Sequence, residues 1–413
     1  MILLIGSLAM LAILCFAAFA AVFPLPATIL WILALETSPE IWLYELIGGH
    51  ETIIAVTKGF GLVLALILGI RHGARADRFN PGFGFFAMFC TGLIHGLHPG
   101  LSILSSLRSL IGSAAPFSFS FVRLPRDWCA TVIRTVIFAP LFAVAFGGLL
   151  AVLGVHGMYA MEQGALRLGA SGEPPFLAGY ALIALYAGLF EVLDRPGWLD
   201  FCFLAINFVI LLLTGARSPL ALASALGLAT VLLPVTGLGA GKRINLLAGA
   251  GALISLAVLF IGSLSFIRVV NLAQAGEAGD LSNRGLVWPI FEKAIAGAPW
   301  FGWGVGAGKV IVPVHSPLGL MLGTNAAHNE YLRIAAEGGV VGLLLLIGLL
   351  ALWVWRGSAA LAPPQRVLMR LIFAAFAAHS ATDNTLIATT SSIFFIWVSA
   401  VFATAGDAPK AAA

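Results

Sequence analysis

The stretch TNAAHNEYLRIAAEGG, residues 324–339, runs directly into VVGLLLLIGLLALWVW. One histidine, two carboxylates and an arginine therefore stand at the mouth of a hydrocarbon-length segment. An imidazole titrates near neutrality, so His328 is a candidate base for taking a proton from a hydroxyl. Asn329 and Tyr331 flank it and can orient the ring or a bound sugar. A helix starting near Ala326 would put His328 and Tyr331 on one face and point Glu330 and Arg333 elsewhere. Two arginines supply a second kind of chemistry. Arg217 follows FVILLLTGA and precedes another apolar run. A charge there must meet water or a partner. It either snorkels to lipid headgroups or binds an anion. Arg284 opens a second helical stretch, where a guanidinium and a helix N-terminus can act together on an anion. Its plainer alternative is a salt bridge to Asp280 or Glu292.

Other suggestive patterns fail on chemistry. GWGVGAGK, residues 302–309, has Trp303 where a phosphate loop needs glycine and Val310 where it needs Ser or Thr. It reads as a glycine-rich turn. His95 and His98 share a helix face but have no third metal ligand nearby. Cys15, Cys90, Cys129 and Cys202 lie in or beside apolar segments and form no CxxC pair, so they read as small packing residues.

The elements that carry these residues follow from composition. Of 413 residues, 60% are hydrophobic and 10% charged, and mean hydropathy is +1.03. A soluble domain carries roughly 45–50% apolar residues. Runs of about 20 apolar residues, enough to cross a bilayer as helix, recur along the chain. The expected fold is an all-α polytopic membrane protein forming a single domain over 1–413. Spans are expected near 2–22, 52–70, 83–98, 129–154, 175–192, 199–216, 218–237, 246–266, 338–356, 365–381 and 389–405. The Ser-rich segment 101–121 makes about twelve, and only that count places most arginines and lysines outside long loops on one side, the cytoplasm. Both termini then lie inside, and the first helix reads as retained rather than cleaved. The net charge of +4 comes with no basic block, so no nucleic-acid partner is expected.

Three segments fall on the other side. Segment 23–51 holds Glu36, Glu40, Glu45 and Glu51 without a basic residue, and 155–174 ends in RLGASGEPP. The third, 267–337, is a large loop inserted between spans nine and ten. Within it SNRGLVWPIFEKAIAGAP reads as a helix capped by Ser282 or Asn283 and ended by Gly297 and Pro299. Trp288, Phe291 and Ile295 recur on one face, and Trp300, Phe301 and Trp303 are expected to anchor the next turn at the interface. The aromatic faces of the loop, Trp288 among them, can stack on sugars.

LLLTGARSPLALA, NRGLVWPIFEKAIAGAPWFGWGVGAGK and AAHNEYLRIAAEGGVVGLLLL, with RLGASGEPPFLAGYALIAL before them, resemble the O-antigen ligase / O-antigen polymerase superfamily. The resemblance covers roughly residues 165 to 355, and HNEYL with EGG before an apolar helix is its most specific part. It implies a metal-independent, inverting glycosyltransferase of the bacterial inner membrane, with no cofactor and with its site facing the periplasm. The donor would be a glycan on undecaprenyl diphosphate. The acceptor would be a lipid A-core sugar in a ligase or a lipid-linked glycan in a polymerase, and membrane lipids would surround both. Arg217 and Arg284 would then hold the diphosphate, and His328 would be the base. The ligase reading is preferred over an O-antigen or exopolysaccharide polymerase joining lipid-linked repeat units. This chain departs from the usual pattern at Ala216-Arg217-Ser218 and Pro174-Pro175. A transporter of an anionic lipid-linked substrate would also explain buried arginines, but it calls for polar residues through the full bilayer depth. A metal-using transferase built on Glu36 or Glu40 lacks an Asp-rich pair. Asp383 and His379, outer-facing near the end of the eleventh expected span, either line the acceptor path or satisfy a helix end.

Overall fold

The computed structural model describes the chain except residues 1, 48, 49, 76, 78, 163, 164, 195, 196, 234–238, 242, 245, 246, 248–283, 323, 324, 387, 388 and 406–413. The described residues form fifteen α-helices and one hairpin. In chain order the helices are α1 (Ile2–Val22), α2 (Pro24–Glu36), α3 (Pro39–Ile47), α4 (His50–His72), α5 (Gly82–His95), α6 (Ile103–Ala114), α7 (Arg126–Val152), α8 (Pro174–Asp194), α9 (Trp198–Thr214) and α10 (Arg217–Leu232). They continue as α11 (Arg284–Gly297), α12 (Pro317–Leu322), α13 (Glu330–Ser358), α14 (Pro363–Ser380) and α15 (Thr389–Ala405).

Among the described residues three helices are long and apolar enough to cross a membrane by length and composition: Arg126–Val152, Pro174–Leu193 and Glu330–Ser358. Shorter apolar helices match most of the other expected spans. The expected span 246–266 falls almost wholly outside the described residues. The chain is a multi-pass membrane protein, and its side-chain pattern fits a lipid surround. Ile70, Ile94, Val152 and Leu344 are among many large apolar residues left exposed on the bundle. At its centre stands α15, whose run Ile393–Val398 is completely buried. A helix apolar on every side belongs in such a position. Phe376 of α14 stacks on Phe394 at 4.5 Å between centroids, joining that helix to the central post.

The Ser-rich segment 101–121 is α6 followed without a break by a 3-10 helix, Ala115–Phe121. It begins at the turn where the His98 amide donates to Trp303 O, and ends at the Ala74–Val122 bridge beyond α4. One expectation for the connecting segments needs correction. Segment 23–51 is not an open acidic loop but the helices α2 and α3, because PLPATILWILALE is apolar and its prolines fall where a first turn tolerates them. Glu36 and Glu40 are buried as a result. Segment 155–174 contains the antiparallel strands β1 (Tyr159–Glu162) and β2 (Ala165–Leu168), with Tyr159 opposite Leu168.

Candidate functional site

The chain around His328 is assembled from the loop helix inward. Pro289 does not break α11, which ends at Gly297 as its sequence suggested. Val287 and Phe291 of α11 pack with Val312, Ala327 and Ala336 in a small core of their own. Trp288 Nε1 donates to Ala327 O at 2.9 Å, fixing the backbone immediately before the histidine. His328 itself adopts φ 47°, an uncommon conformation for a side-chain-bearing residue and one often held at functional sites. Asn329 then caps α13, its Oδ1 accepting from Tyr331 N at 3.0 Å and Leu332 N at 3.2 Å. The helix thus begins at Glu330, later than expected, and His328 precedes it rather than sharing a face with Tyr331. A capping asparagine forces this start, because its own backbone must be non-helical.

Facing His328 is the turn between α14 and α15. His328 Nδ1 lies 3.8 Å from Asp383 Oδ1, and His379 Nε2 lies 3.6 Å from Asp383 Oδ2. One carboxylate therefore stands between two imidazoles. Burial alone would raise the Asp383 carboxyl, but contact with His328, the charge of His379 and the Asn384 amide outweigh it and hold the group below its ordinary value. The Asn384 amide donates to Asp383 Oδ1 at 2.8 Å. These three residues line a cavity of about 180 Å³ with Phe176 and Tyr186 of α8. The GEPPFLAGY and HNEYL stretches, far apart in sequence, meet here.

Arg217 is the exposed first residue of α10. Its neighbour Ser218 shares a hydrogen bond of 2.8 Å with Thr382, adjacent to Asp383. The arginine's backbone is thereby tied to the turn that faces His328. The preceding turn is fixed from beneath, where the buried Arg167 of β2 donates through Nε to Thr214 O at 2.7 Å. Arg284 opens α11, but its side chain lies outside the described residues.

A buried ion triad sets the distance between the two walls. Arg333 Nε and Nη2 both contact Glu330 Oε2 at 2.6 Å, and its Nη1 donates to Glu337 Oε2 at 3.0 Å. The other oxygen of Glu330 accepts from Leu386 N at 3.0 Å, gripping the Asp383 turn. Tyr331 donates its hydroxyl to Ala377 O at 2.8 Å and so joins α13 to α14. Further along, α13 kinks at Gly339, φ 62° and ψ −168°. The carbonyls of Ala336 and Glu337 accept from Trp303 N and Gly304 N, while Val340 N and Val341 N donate to Pro299 O and Trp300 O. The glycine-rich 302–309 segment is therefore a turn docked on a broken helix. Phe301 stacks on His95 at 4.2 Å and Trp303 meets His98 edge-on at 5.6 Å, which explains both histidines as packing partners. Among the described residues no group of three or more His, Cys, Asp or Glu is placed to hold a metal ion.

Residues 202–347 match a family model described as O-Antigen ligase. This segment belongs to the O-antigen ligase superfamily. No curated protein matches the chain. The O-antigen ligase segment contains Arg217, Arg284, Trp288, His328, Asn329 and Tyr331, whereas Asp383, His379 and Arg167 lie beyond its ends. The sequence places Asp383 and His379 on an acceptor path or at a helix end but does not pair them with His328, and it does not single out Arg167 or the triad as positioning groups. Two signals were available. HSATD spaces the second histidine four residues before the acid, and the Glu330–Arg333–Glu337 spacing is that of ion pairs on one helix. Beside the site an apolar groove of about 400 Å³ runs between α13 and α14, from Tyr331 past Leu346 and Phe373 to Trp355 and Arg370.

Proposed function

We propose that the chain is an O-antigen ligase-type glycosyltransferase, moving a glycan from undecaprenyl diphosphate to a lipid A-core sugar on the periplasmic side of the bacterial inner membrane. The observation that carries this reading is the His328–Asp383 pair beside a cavity, with Arg217 linked to that turn through its neighbour Ser218, which is hydrogen-bonded to Thr382. Asp383 orients Nδ1 of the imidazole and leaves Nε2 to accept the proton of the acceptor hydroxyl, the division of labour seen in other carboxylate–histidine pairs. The freed oxygen attacks the anomeric carbon from the face opposite the leaving group, so configuration inverts. The bond to undecaprenyl diphosphate breaks, and its electron pair stays on the departing diphosphate.

Charge accumulates on that diphosphate as the bond lengthens. Arg217, exposed at the start of α10, and Arg284, at the start of α11, are the cations assigned to it. No metal is required by this scheme. The groove between α13 and α14 suits part of the polyprenyl tail, since its lining is almost wholly apolar and it begins at Tyr331 beside the site. Asn329, Tyr331 and Trp288 act in this scheme by holding the chain around His328 in place, through Asn329 Oδ1, the Tyr331 hydroxyl and Trp288 Nε1 bonded to the protein backbone. About twelve crossings, cytoplasmic termini and a periplasmic loop over 267–337 complete the proposal.

Reconstitution with lipid-linked glycan and lipid A-core acceptor tests it. His328→Ala and Arg217→Ala are expected to abolish transfer while the protein still folds. Turnover like wild type in either variant would sink the assignment. Gene deletion separates the two acceptor classes: loss of all long glycan on lipid A indicates a ligase, and a single capped repeat indicates a polymerase.

A further inference from the structure

A second cavity, of about 330 Å³, shares no lining residue with the one at His328. Arg75, Arg123, Arg126, Ser120, Ser399 and Trp353 contribute to its lining. Along α13, the path from Glu330 to Trp353 is about 35 Å of helical rise at ~1.5 Å per residue, somewhat less end to end because of the kink at Gly339. That is close to the ~30 Å hydrocarbon core, so this cavity opens at the opposite membrane face.

Its arginines are held together by backbone. Arg75 N donates to Phe121 O at 2.7 Å and Arg123 N to Gly73 O at 3.1 Å, either side of the Ala74–Val122 bridge. Other basic residues at this end are engaged. Arg71 donates to Ala21 O, Arg356 covers the Phe79 ring, Arg366 donates to Ala359 O and Leu361 O, and Arg370 donates to Ser358 Oγ. Among the described residues, the side chains of Arg75 and Arg123 make no such contact. Among the described residues no acidic side chain lines the cavity, although Asp127 follows Arg126 in the first turn of α7.

A second, independent observation comes from the serines. Ser120 is satisfied, since it donates to Phe117 O and accepts from Asn80 Nδ2. Ser399 is 8% exposed, and its hydroxyl has no hydrogen-bond partner among the described residues. A buried hydroxyl without a partner is costly, and this one has its proton free to give to an acceptor. Two guanidinium forks and one hydroxyl donor around a cavity match the oxygens of a phosphate group. The rest of the wall is apolar: Val122, Leu124, Trp353 and Phe402. A free phosphate would leave that surface wet, whereas the glycerol and first methylenes of a lipid would cover it.

We propose that this cavity is a phosphate-binding site occupied by the headgroup of an anionic phospholipid, at the membrane face opposite the glycan-transfer site. The full chain, purified in mild detergent and stripped of lipid, is titrated with phosphatidylglycerol, phosphatidylcholine or inorganic phosphate while its thermal unfolding midpoint is followed. Phosphatidylglycerol is expected to raise the midpoint saturably, with phosphatidylcholine weaker. Apparent affinity should fall more than ~10-fold in the Arg75→Ala, Arg123→Ala double variant and about 3- to 10-fold in Ser399→Ala. It should be unchanged in Arg108→Ala, an exposed basic residue outside the cavity. Ser399→Ala removes one atom from a buried wall, so it keeps the test usable if the double variant does not fold. Saturable stabilisation by inorganic phosphate, lost in the cavity variants, would overturn the lipid assignment in favour of a soluble phosphate. Equal phosphatidylglycerol affinity in all these proteins, or an equal loss in Arg108→Ala, would overturn the site itself. None of these readouts depends on glycan transfer, so the outcome is separate from that of the proposed activity.

Discussion

Replacing Asp383 by Asn removes one negative charge and keeps the shape of the turn, which isolates the carboxylate's effect on His328. The charge sits 3.8 Å from Nδ1, and both side chains are more than a third exposed, 39% and 38%. Interior dielectric values therefore overstate the coupling. With an effective dielectric of about 40–80, two unit charges at that distance interact by about 1–2 kcal/mol. The interaction is realised only when the imidazole becomes cationic, that is, as it takes the acceptor's proton. The rate of transfer should fall about 5- to 30-fold. Initial rates in proteoliposomes at saturating donor and acceptor measure this, with the unfolding midpoint as a control for structure. A loss below twofold would mean that Asp383 does not act on His328. A loss as deep as that of His328→Ala would mean that Asp383 contacts the reacting atoms itself. Either result refutes the assignment of Asp383 as an orienting and stabilising partner.

The same carboxyl predicts a pH effect on stability. Its value in the folded chain is held below 3.8, so the unfolded chain binds the proton more readily. Its contribution is complete above the ordinary value and is lost as pH falls through the folded one, and an acid titration of stability should be shallower at that end for Asp383→Asn. Glu330→Ala leaves the buried Arg333 with one partner and Leu386 N with none, which should cost about 3–5 kcal/mol and lower the unfolding midpoint more than Glu330→Gln does. Gly339→Ala should prevent accumulation of folded protein, because a Cβ there would run into the Trp300 backbone in a conformation essentially restricted to glycine. A chelator is expected to leave the transfer rate unchanged, and its loss on chelation with recovery on adding a divalent cation would remove the metal-free scheme.

Much of the fold was legible because bilayer crossing imposes its own length and composition on the chain. The expected spans near 129–154, 175–192 and 389–405 match α7, α8 and α15 to within a few residues. The loop helix ending at Gly297 was equally readable from its punctuation. Segments 23–51 and 155–174 were not, since a short buried helix and a two-stranded hairpin carry weak periodic signals, and the choice between them and open loop depends on what they pack against.

The site divides along the same line. The sequence by itself determined which groups are chemically able: an imidazole at 328, guanidiniums at 217 and 284, and an apolar helix after Gly339. Each of these follows from residue type and near neighbours. Only the tertiary structure decided that Asp383, 55 positions after His328, is that histidine's partner, that Ser218 and Thr382 bring Arg217's turn to the same place, and that Glu330 and Arg333 serve as a buried brace. The physical reason is that a Coulombic or hydrogen-bonded contact depends on separation in space, whereas local sequence specifies only the direction in which each element sets out. Which helix ends come within 4 Å of one another is settled by how all the helices pack at once.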